Sequence, residues 1–212
     1  MPRRLTESGL REGVRELPDR DAGLRRIATG YGAPPMWARE PGFHTLVQII
    51  LEQQVSLASA RAANQRLVEA IGRSAPEAFL ELSDSRLKAI GFSRQKTRYC
   101  RLLAEAVHEG SFDIEGLEHL DDGPARTALT SLTGIGRWTA DIYLLMALLR
   151  PDVWPVGDIA LATAAGKLRG AAMRPDPGQL ESWGEAWRPW RSVAARLLWH
   201  YYLSDPGVRA RS

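Results

Sequence analysis

Apolar residues recur at helical spacing along almost the whole chain. Residues 43–50, 99–107 and 193–201 show the pattern most clearly, with apolar positions three or four apart. No segment alternates apolar and polar residues long enough to predict a β-strand. The pattern therefore predicts an all-α protein.

Residues that begin and end helices agree with this prediction. Ser93, shortly after Gly91, is a predicted N-cap, and Gly110 is a predicted helix stop. Asp176-Pro177 is typical of an N-cap followed by Pro at the first helical position. Pro34-Pro35 predicts a loop.

Composition narrows the class of protein without identifying it. The 212 residues can form one core or two closely packed lobes. There are 28 Lys and Arg residues against 25 Asp and Glu residues, and the net charge of +3 alone does not indicate a partner. The single Cys100 excludes both an intramolecular disulfide and a four-cysteine cluster. With no apolar run of signal-peptide or membrane length, we expect a cytoplasmic, nucleoid-associated protein without membrane contact.

The most informative segment is the run LTGIGRWTA at residues 132–140. Its two glycines, Gly134 and Gly136, supply backbone freedom for a sharp turn that leads into a new helix. The start of a helix presents amide donors and a positive dipole end, which together suit a phosphate. The segment therefore predicts a turn that holds nucleic-acid backbone.

This hairpin, followed by Val156-Gly157-Asp158, resembles the helix-hairpin-helix, Gly/Pro-rich, Asp-containing (HhH-GPD) superfamily of DNA glycosylases. Within it, the chain is similar to the AlkA-like branch of 3-methyladenine DNA glycosylase II enzymes. Three more segments match in family order: residues 46–56, 91–99 and 187–199. Together the matches cover roughly residues 41–203, which is most of the chain.

The resemblance implies two helical lobes with the active-site cleft between them. The central lobe would span residues 42–150 and contain the hairpin at about 122–149. The other lobe would combine residues 1–41 with 151–212. Some relatives carry an N-terminal β-domain, but only about 40 residues precede the match here, so we expect no such domain.

Asp158 matches the catalytic Asp of the family. Breaking the bond between a base and deoxyribose builds positive charge on the sugar, which a fixed carboxylate stabilises. The alternative is that Asp158 is only the N-cap of a helix over residues 159–167. The upstream hairpin favours the catalytic interpretation.

The resemblance also concerns the aromatic residues. Trp138 and Trp199 match pocket aromatics that hold a flipped base, and an indole face attracts a cationic base by about 0.5–2 kcal/mol. Trp138 also stands where enzymes with lyase activity carry a Schiff-base Lys, which implies hydrolysis only. Ile142 replaces a pocket Tyr of the best-known relatives, so we expect altered substrate breadth. The remaining tryptophans assigned to packing are Trp154, Trp183, Trp187 and Trp190.

Further DNA contacts are implied at two places. Gln54 aligns with the side chain that fills the duplex after flipping, with Gln53 beside it; two solvated glutamines are the alternative. Backbone amides around Gly134, Gly136 and Thr139 would bind phosphate. Arg94 and Lys96 could contact the DNA backbone, but a solvated helix face is the favoured interpretation. Backbone carbonyls matching a monovalent-cation site of the family, for Na⁺ or K⁺, belong to Thr130, Leu132 and Ile135.

The sequence thus predicts a monomeric, monofunctional DNA glycosylase that removes alkylated bases of the 3-methyladenine and 7-methylguanine type from damaged double-stranded DNA. No cofactor is expected to be required. One alternative is a noncatalytic helix-hairpin-helix DNA-binding module, which would have no use for Asp158 or the paired tryptophans. Another is a glycosylase for other lesions, such as hypoxanthine, 1-methyladenine or 3-methylcytosine.

Overall fold

The computed structural model describes residues 2–72 and 75–209, and within these ranges the chain forms helices and no β-strand. The all-α prediction is confirmed, and the described residues contain no β-domain. A short 3₁₀ helix spans Gly116–His119. The α-helices are α1 (Glu7–Arg20), α2 (Ala22–Tyr31), α3 (Phe43–Glu52), α4 (Leu57–Ile71), α5 (Pro76–Leu80), α6 (Asp84–Ile90), α7 (Arg94–His108), α8 (Asp122–Thr130), α9 (Arg137–Met146), α10 (Ile159–Leu168), α11 (Pro177–Glu185), α12 (Arg191–Ser204) and α13 (Pro206–Arg209).

The predicted helix boundaries are confirmed at three points. Ser93 caps α7 by accepting a hydrogen bond from the amide of Lys96. Asp176 caps α11 in a capping box with Gln179. The chain leaves α7 through Gly110, whose φ of +73° is a conformation that favours glycine. Along the described part of the chain, none of the helices is long and apolar enough to cross a membrane.

The chain divides into two compact units. The first unit is formed by Arg39–Tyr143 together with Pro2, so residues 39–41, which were expected in the other lobe, belong to it. Its centre is α3, which is buried along most of its length and packs against α4 and α7. An aromatic cluster supports this core, since the ring of Phe79 lies 5.9 Å from Phe43 and 5.7 Å from Phe92.

Among the described residues, the second unit is formed by Arg3–Ala38 and residues 144–209. Its centre is α12, which packs against α1, α2 and α10. The assignment to packing is confirmed for Trp154, Trp187 and Trp190, which are buried and whose indole N–H groups each have an acceptor within 3.0 Å. Trp183 is only half-buried, with the guanidinium of Arg169 5.3 Å from its ring centre.

Residues 144–150, which the sequence analysis placed in the central lobe, pack within the second unit. The amide of Leu5 donates to the carbonyl of Leu149 at 2.6 Å. The buried guanidinium of Arg196 donates to the carbonyl of Leu145 at 2.9 Å. Both partners belong to the second unit, so these hydrogen bonds fix the segment there.

Candidate functional site

The hairpin joins α8 to α9 through residues 131–136. Gly134 has a φ of +91°, and a Cβ at this position would collide with the ring of Tyr99. Only glycine satisfies both conditions without strain. Gly136 is different, because its φ is outside the left-handed region and a Cβ there would meet open space. The backbone freedom expected of both glycines is therefore needed at Gly134 alone.

The start of α9 has the geometry of an anion site. Its first backbone hydrogen bond runs from the amide of Ala140 to the carbonyl of Gly136 at 3.0 Å. As in any helix, the amides of the first turn have no acceptor within the helix, and they lie at its positive end. Open space at Gly136 leaves room for a phosphate to approach this end closely.

Gln53 connects this hairpin to the end of α3. Its side-chain amide donates to the carbonyl of Gly134 at 3.0 Å and to Oγ1 of Thr139 at 2.9 Å. Thr139 is buried, so its hydroxyl acts inside the protein as the acceptor of this bond. The alternative of a solvated glutamine is wrong for Gln53, which ties the turn of the hairpin to the first unit.

Gln54 has the opposite character. It is exposed and holds a left-handed backbone conformation, with a φ of +55°. The neighbouring Val55 and Leu57 are large apolar residues that are 45% and 51% exposed. The structure thus separates the two glutamines: Gln53 is an internal tether, and Gln54 stands at an exposed apolar tip.

Two further contacts hold the last residues of α3, which directly precede the two glutamines. The ammonium of Lys96 donates to the carbonyl of Leu51 at 2.7 Å. Arg39 pairs with Glu52 through two contacts of 3.0 Å. Arg94 is exposed, as expected of a solvated helix face. The same interpretation is wrong for Lys96, which is half-buried and bonded to Leu51, and burial lowers its pKa.

The residues whose carbonyls are expected to hold a cation line an open groove of the first unit. Residues 130–136 line this groove together with Gln53, Gln54, Gln95 and Tyr99. The carbonyl of Leu132 accepts a hydrogen bond from the amide of Ile135 at 3.1 Å. Backbone carbonyl oxygens are hard ligands that suit Na⁺ or K⁺, so the donor set fits the ion that the resemblance implies at Thr130, Leu132 and Ile135.

Asp158 begins α10 in the second unit and is half-buried. Its Oδ1 accepts a hydrogen bond from the amide of Leu161 at 2.8 Å, so the N-cap that was the alternative interpretation is present. The same Oδ1 accepts a hydrogen bond of 3.0 Å from the indole nitrogen of Trp199. A purely structural cap needs only the first of these bonds. The second joins the carboxylate to an aromatic side chain on α12.

Trp199 is buried, at 7% exposure, and has two neighbours that fix its position. Its nitrogen contacts Asp158, and its ring meets the ring of Trp37 edge-on, with centres 6.5 Å apart and planes at 70°. Trp37 was not predicted as a site residue, because it lies outside the segments that resemble the family. Only the preceding Pro34-Pro35, which indicates a stiff loop, marks its surroundings in the sequence.

The other two predicted pocket residues belong to the first unit. Trp138 lies in the first turn of α9 and is half-buried. Ile142 lies one turn further along α9 and is buried, at 3% exposure. A larger ring at Ile142 would have to displace its neighbours. Asp158 and Trp199 are thus brought together within the second unit, while Trp138 and Ile142 share one helix of the first.

Comparison with known proteins identifies the family. The model of the HhH-GPD superfamily of base excision DNA repair proteins matches residues 47–190. DNA-3-methyladenine glycosylase 2 of Escherichia coli is 30% identical over 80% of this chain. The chain spans only part of its curated relatives, 62% of the E. coli protein and 41% of the Mycobacterium tuberculosis AlkA protein.

Solved structures agree. The 3-methyladenine DNA glycosylase Mag1 of Schizosaccharomyces pombe, in complex with abasic DNA, superposes with a TM-score of 0.84 at 26% identity, covering 89% of this chain and 95% of Mag1. The DNA-3-methyladenine glycosidase of Bacillus halodurans gives a TM-score of 0.75 at 32% identity, covering 90% and 88% of the two chains.

Proposed function

Because the chain belongs to the HhH-GPD superfamily of base excision DNA repair proteins, we propose that it is a monofunctional DNA glycosylase for alkylated bases. Its substrates would be bases of the 3-methyladenine and 7-methylguanine type. The single observation that carries the proposal is the carboxylate of Asp158, fixed by a helix start and by the indole nitrogen of Trp199. The names of the relatives support the choice of alkylated bases.

The reaction is the hydrolysis of the N-glycosidic bond. As the bond between C1′ and the base nitrogen breaks, positive charge develops on the sugar, and the carboxylate of Asp158 stabilises it. Water then adds its oxygen to C1′ and gives its proton to a base such as that carboxylate. A cationic alkylated base leaves as a neutral molecule with the bonding electrons, so its departure needs no general acid. The products are the free base and an abasic site.

DNA would be held mainly by the first unit. The amides at the start of α9 bind a backbone phosphate, and a Na⁺ or K⁺ ion on the carbonyls of Thr130, Leu132 and Ile135 would add positive charge at the same turn. Gln53 fixes the position of this turn. Exposed Gln54 would enter the duplex at the site from which the base has been flipped.

We further propose that the enzyme has no lyase activity, because Trp138 stands at the Schiff-base position and an indole cannot form an imine. The amine of Lys96 is engaged by the carbonyl of Leu51, which supports the proposal. Borohydride added during turnover is expected to trap no covalent complex of enzyme and DNA. Efficient trapping that is lost in Lys96→Met would assign lyase chemistry to that amine instead.

Cellular context follows from the proposed substrate. The enzyme would act as a monomer on damaged double-stranded DNA in the cytoplasm, at the nucleoid, and would require no cofactor. Light scattering of the purified protein measures its molar mass in solution and so tests whether it is a monomer. Activity that persists in a chelator and in the absence of added metal salts tests the independence from a cofactor.

The proposed function is tested by base release from duplexes that each carry one modified base. We expect release of 3-methyladenine and 7-methylguanine, with abasic sites formed in equal number. Preferential release of hypoxanthine, 1-methyladenine or 3-methylcytosine would assign the enzyme to those lesions. Tight duplex binding with no release of any base would favour a noncatalytic DNA-binding module.

A further inference from the structure

Trp37 has an unusual backbone for a large side chain. It lies in the loop between α2 and α3 and has a φ of +49°, in the left-handed region that aromatic residues rarely adopt. Such a conformation persists only where the surroundings enforce it, and strained residues concentrate at sites that hold ligands. The position of the Trp37 ring therefore calls for an explanation beyond the connection of two helices.

The loop around Trp37 is fixed by buried contacts. Arg196 is fully buried and donates through Nε to the carbonyl of Met36 at 2.7 Å. Its other nitrogens donate to the carbonyls of Ser192 and Leu145, and burial lowers its pKa to about 10. Burying a guanidinium costs free energy unless its N–H groups are hydrogen-bonded. The bonds of Arg196 are therefore costly to break, and the one to Met36 fixes the loop. Pro34 and Pro35 further restrict the chain just before Trp37.

A single side chain, that of Trp199, contacts both the Trp37 ring and the carboxylate of Asp158. Its centre is 6.5 Å from the ring of Trp199, whose nitrogen donates to Asp158, and 6.5 Å from the ring of His200. All four residues belong to the second unit. Trp199 is buried, whereas Trp37 is only half-buried. Of the two indoles, Trp37 thus has more of its surface accessible to a ligand.

We propose that Trp37 is a base-binding residue, whose indole contacts the flipped base beside Asp158 and selects for positively charged bases. This inference rests on the proposed glycosylase function and adds a second aromatic residue to Trp199 within the second unit. The electron-rich face of an indole attracts a cationic base more strongly than it attracts a neutral base of similar size. A fixed aromatic side chain also loses little conformational freedom when it binds.

Binding to three DNA duplexes separates this role from mere support of Trp199. In an Asp158→Asn background, which prevents turnover, affinity is measured for duplexes with 7-methylguanine, with hypoxanthine and with a tetrahydrofuran abasic analogue. The first base is cationic, the second is neutral, and the third duplex has no base. A residue that touches the base changes affinity only when a base is present.

We expect Trp37→Leu to weaken binding of the 7-methylguanine duplex about 3- to 30-fold relative to the Asp158→Asn parent. Binding of the hypoxanthine duplex should weaken less, and binding of the abasic analogue should not change. Trp37→Phe should restore part of the loss, because a phenyl face retains some attraction for a cation. Trp183→Ala, which removes another half-buried indole of the same unit, should leave all three affinities unchanged.

Equal losses for all three duplexes would overturn the proposal, because they would indicate a structural role. Unchanged affinity for the 7-methylguanine duplex in folded Trp37→Leu protein would also overturn it. If instead the wild type releases alkylated bases normally while Trp37→Leu changes nothing, the proposed function stands and only this inference fails. If the wild type releases no alkylated base at all, both fail.

Discussion

The indole nitrogen of Trp199 donates a hydrogen bond of 3.0 Å to Oδ1 of Asp158. The same oxygen accepts a hydrogen bond from the amide of Leu161 at 2.8 Å, so donors from α12 and α10 converge on it. Two fixed donors keep the carboxylate in one orientation before the substrate arrives. In the proposed reaction, a charge that is already oriented needs no rearrangement when positive charge develops on the sugar.

Trp199→Phe tests this contact, because it removes the indole nitrogen and keeps an aromatic ring. We expect about a tenfold slower excision, in line with the loss of one hydrogen bond to a charged group. Single-turnover rates with excess enzyme measure the chemical step. Trp199→Ala should slow excision further, most strongly for cationic bases. An unchanged rate in folded Trp199→Phe protein would show that the hydrogen bond does not assist Asp158.

The two glutamines at the end of α3 are expected to differ in their effects. Gln53→Ala removes both hydrogen bonds to the hairpin and should weaken binding of damaged and undamaged duplexes alike, about 3- to 30-fold. Gln54→Ala should slow excision while leaving undamaged binding nearly unchanged, because the role proposed for exposed Gln54 begins only after flipping. Fluorescence anisotropy and single-turnover excision provide the two readouts. The same profile for both variants would refute the division of roles.

The hairpin glycines form a matched pair for mutation. Gly134→Ala introduces a Cβ against the Tyr99 ring at a φ of +91°, so we expect a loss of about 1–3 kcal/mol in the free energy of unfolding, together with weaker DNA binding. Gly136→Ala adds a methyl group in open space and should leave stability within about 0.5 kcal/mol. Denaturant unfolding compares the two variants. Equal destabilisation would mean that the turn does not depend on Gly134 as described.

Local signals in the sequence predicted much of the fold. Apolar spacing indicates helices throughout, and Ser93 and Asp176 mark helix starts because their side chains bond to amides three residues away. The N-cap at Asp158 is equally local, and the family resemblance added its catalytic interpretation. These features depend on neighbouring residues, so they are visible in the order of the residues alone.

The contacts that escaped prediction join residues far apart in the chain. Gln53 bonds to Thr139, 86 positions away, and Arg196 bonds to the carbonyl of Met36, 160 positions away. Spacing carries no information about such pairs. Every residue also carries a backbone carbonyl, so the sequence does not show which carbonyl a side chain will contact. The partners of Lys96 and Arg196 therefore could not be identified from sequence. The contact between Trp37 and Trp199 is also long-range, because Trp199 lies on α12 near the other end of the chain.

The carboxylate of Asp158 can be changed with little effect on the fold. Asn is as good an N-cap as Asp and keeps an oxygen that can accept the bonds from Leu161 and Trp199. Asp158→Asn should therefore unfold within about 0.5 kcal/mol of the wild type. Asp158→Ala should lose about 1–3 kcal/mol, since it removes the cap and also the acceptor of the buried Trp199 indole. The Asn variant thus isolates the negative charge from the structural function.

The most direct test is the single-turnover excision of 7-methylguanine from duplex DNA by Asp158→Asn, with binding of the same duplex measured in parallel. We predict that binding is retained while the excision rate falls by about 100-fold or more, because the charge acts on the transition state. Wild-type excision by the folded, DNA-binding Asn variant would contradict the assignment of Asp158 as the catalytic carboxylate.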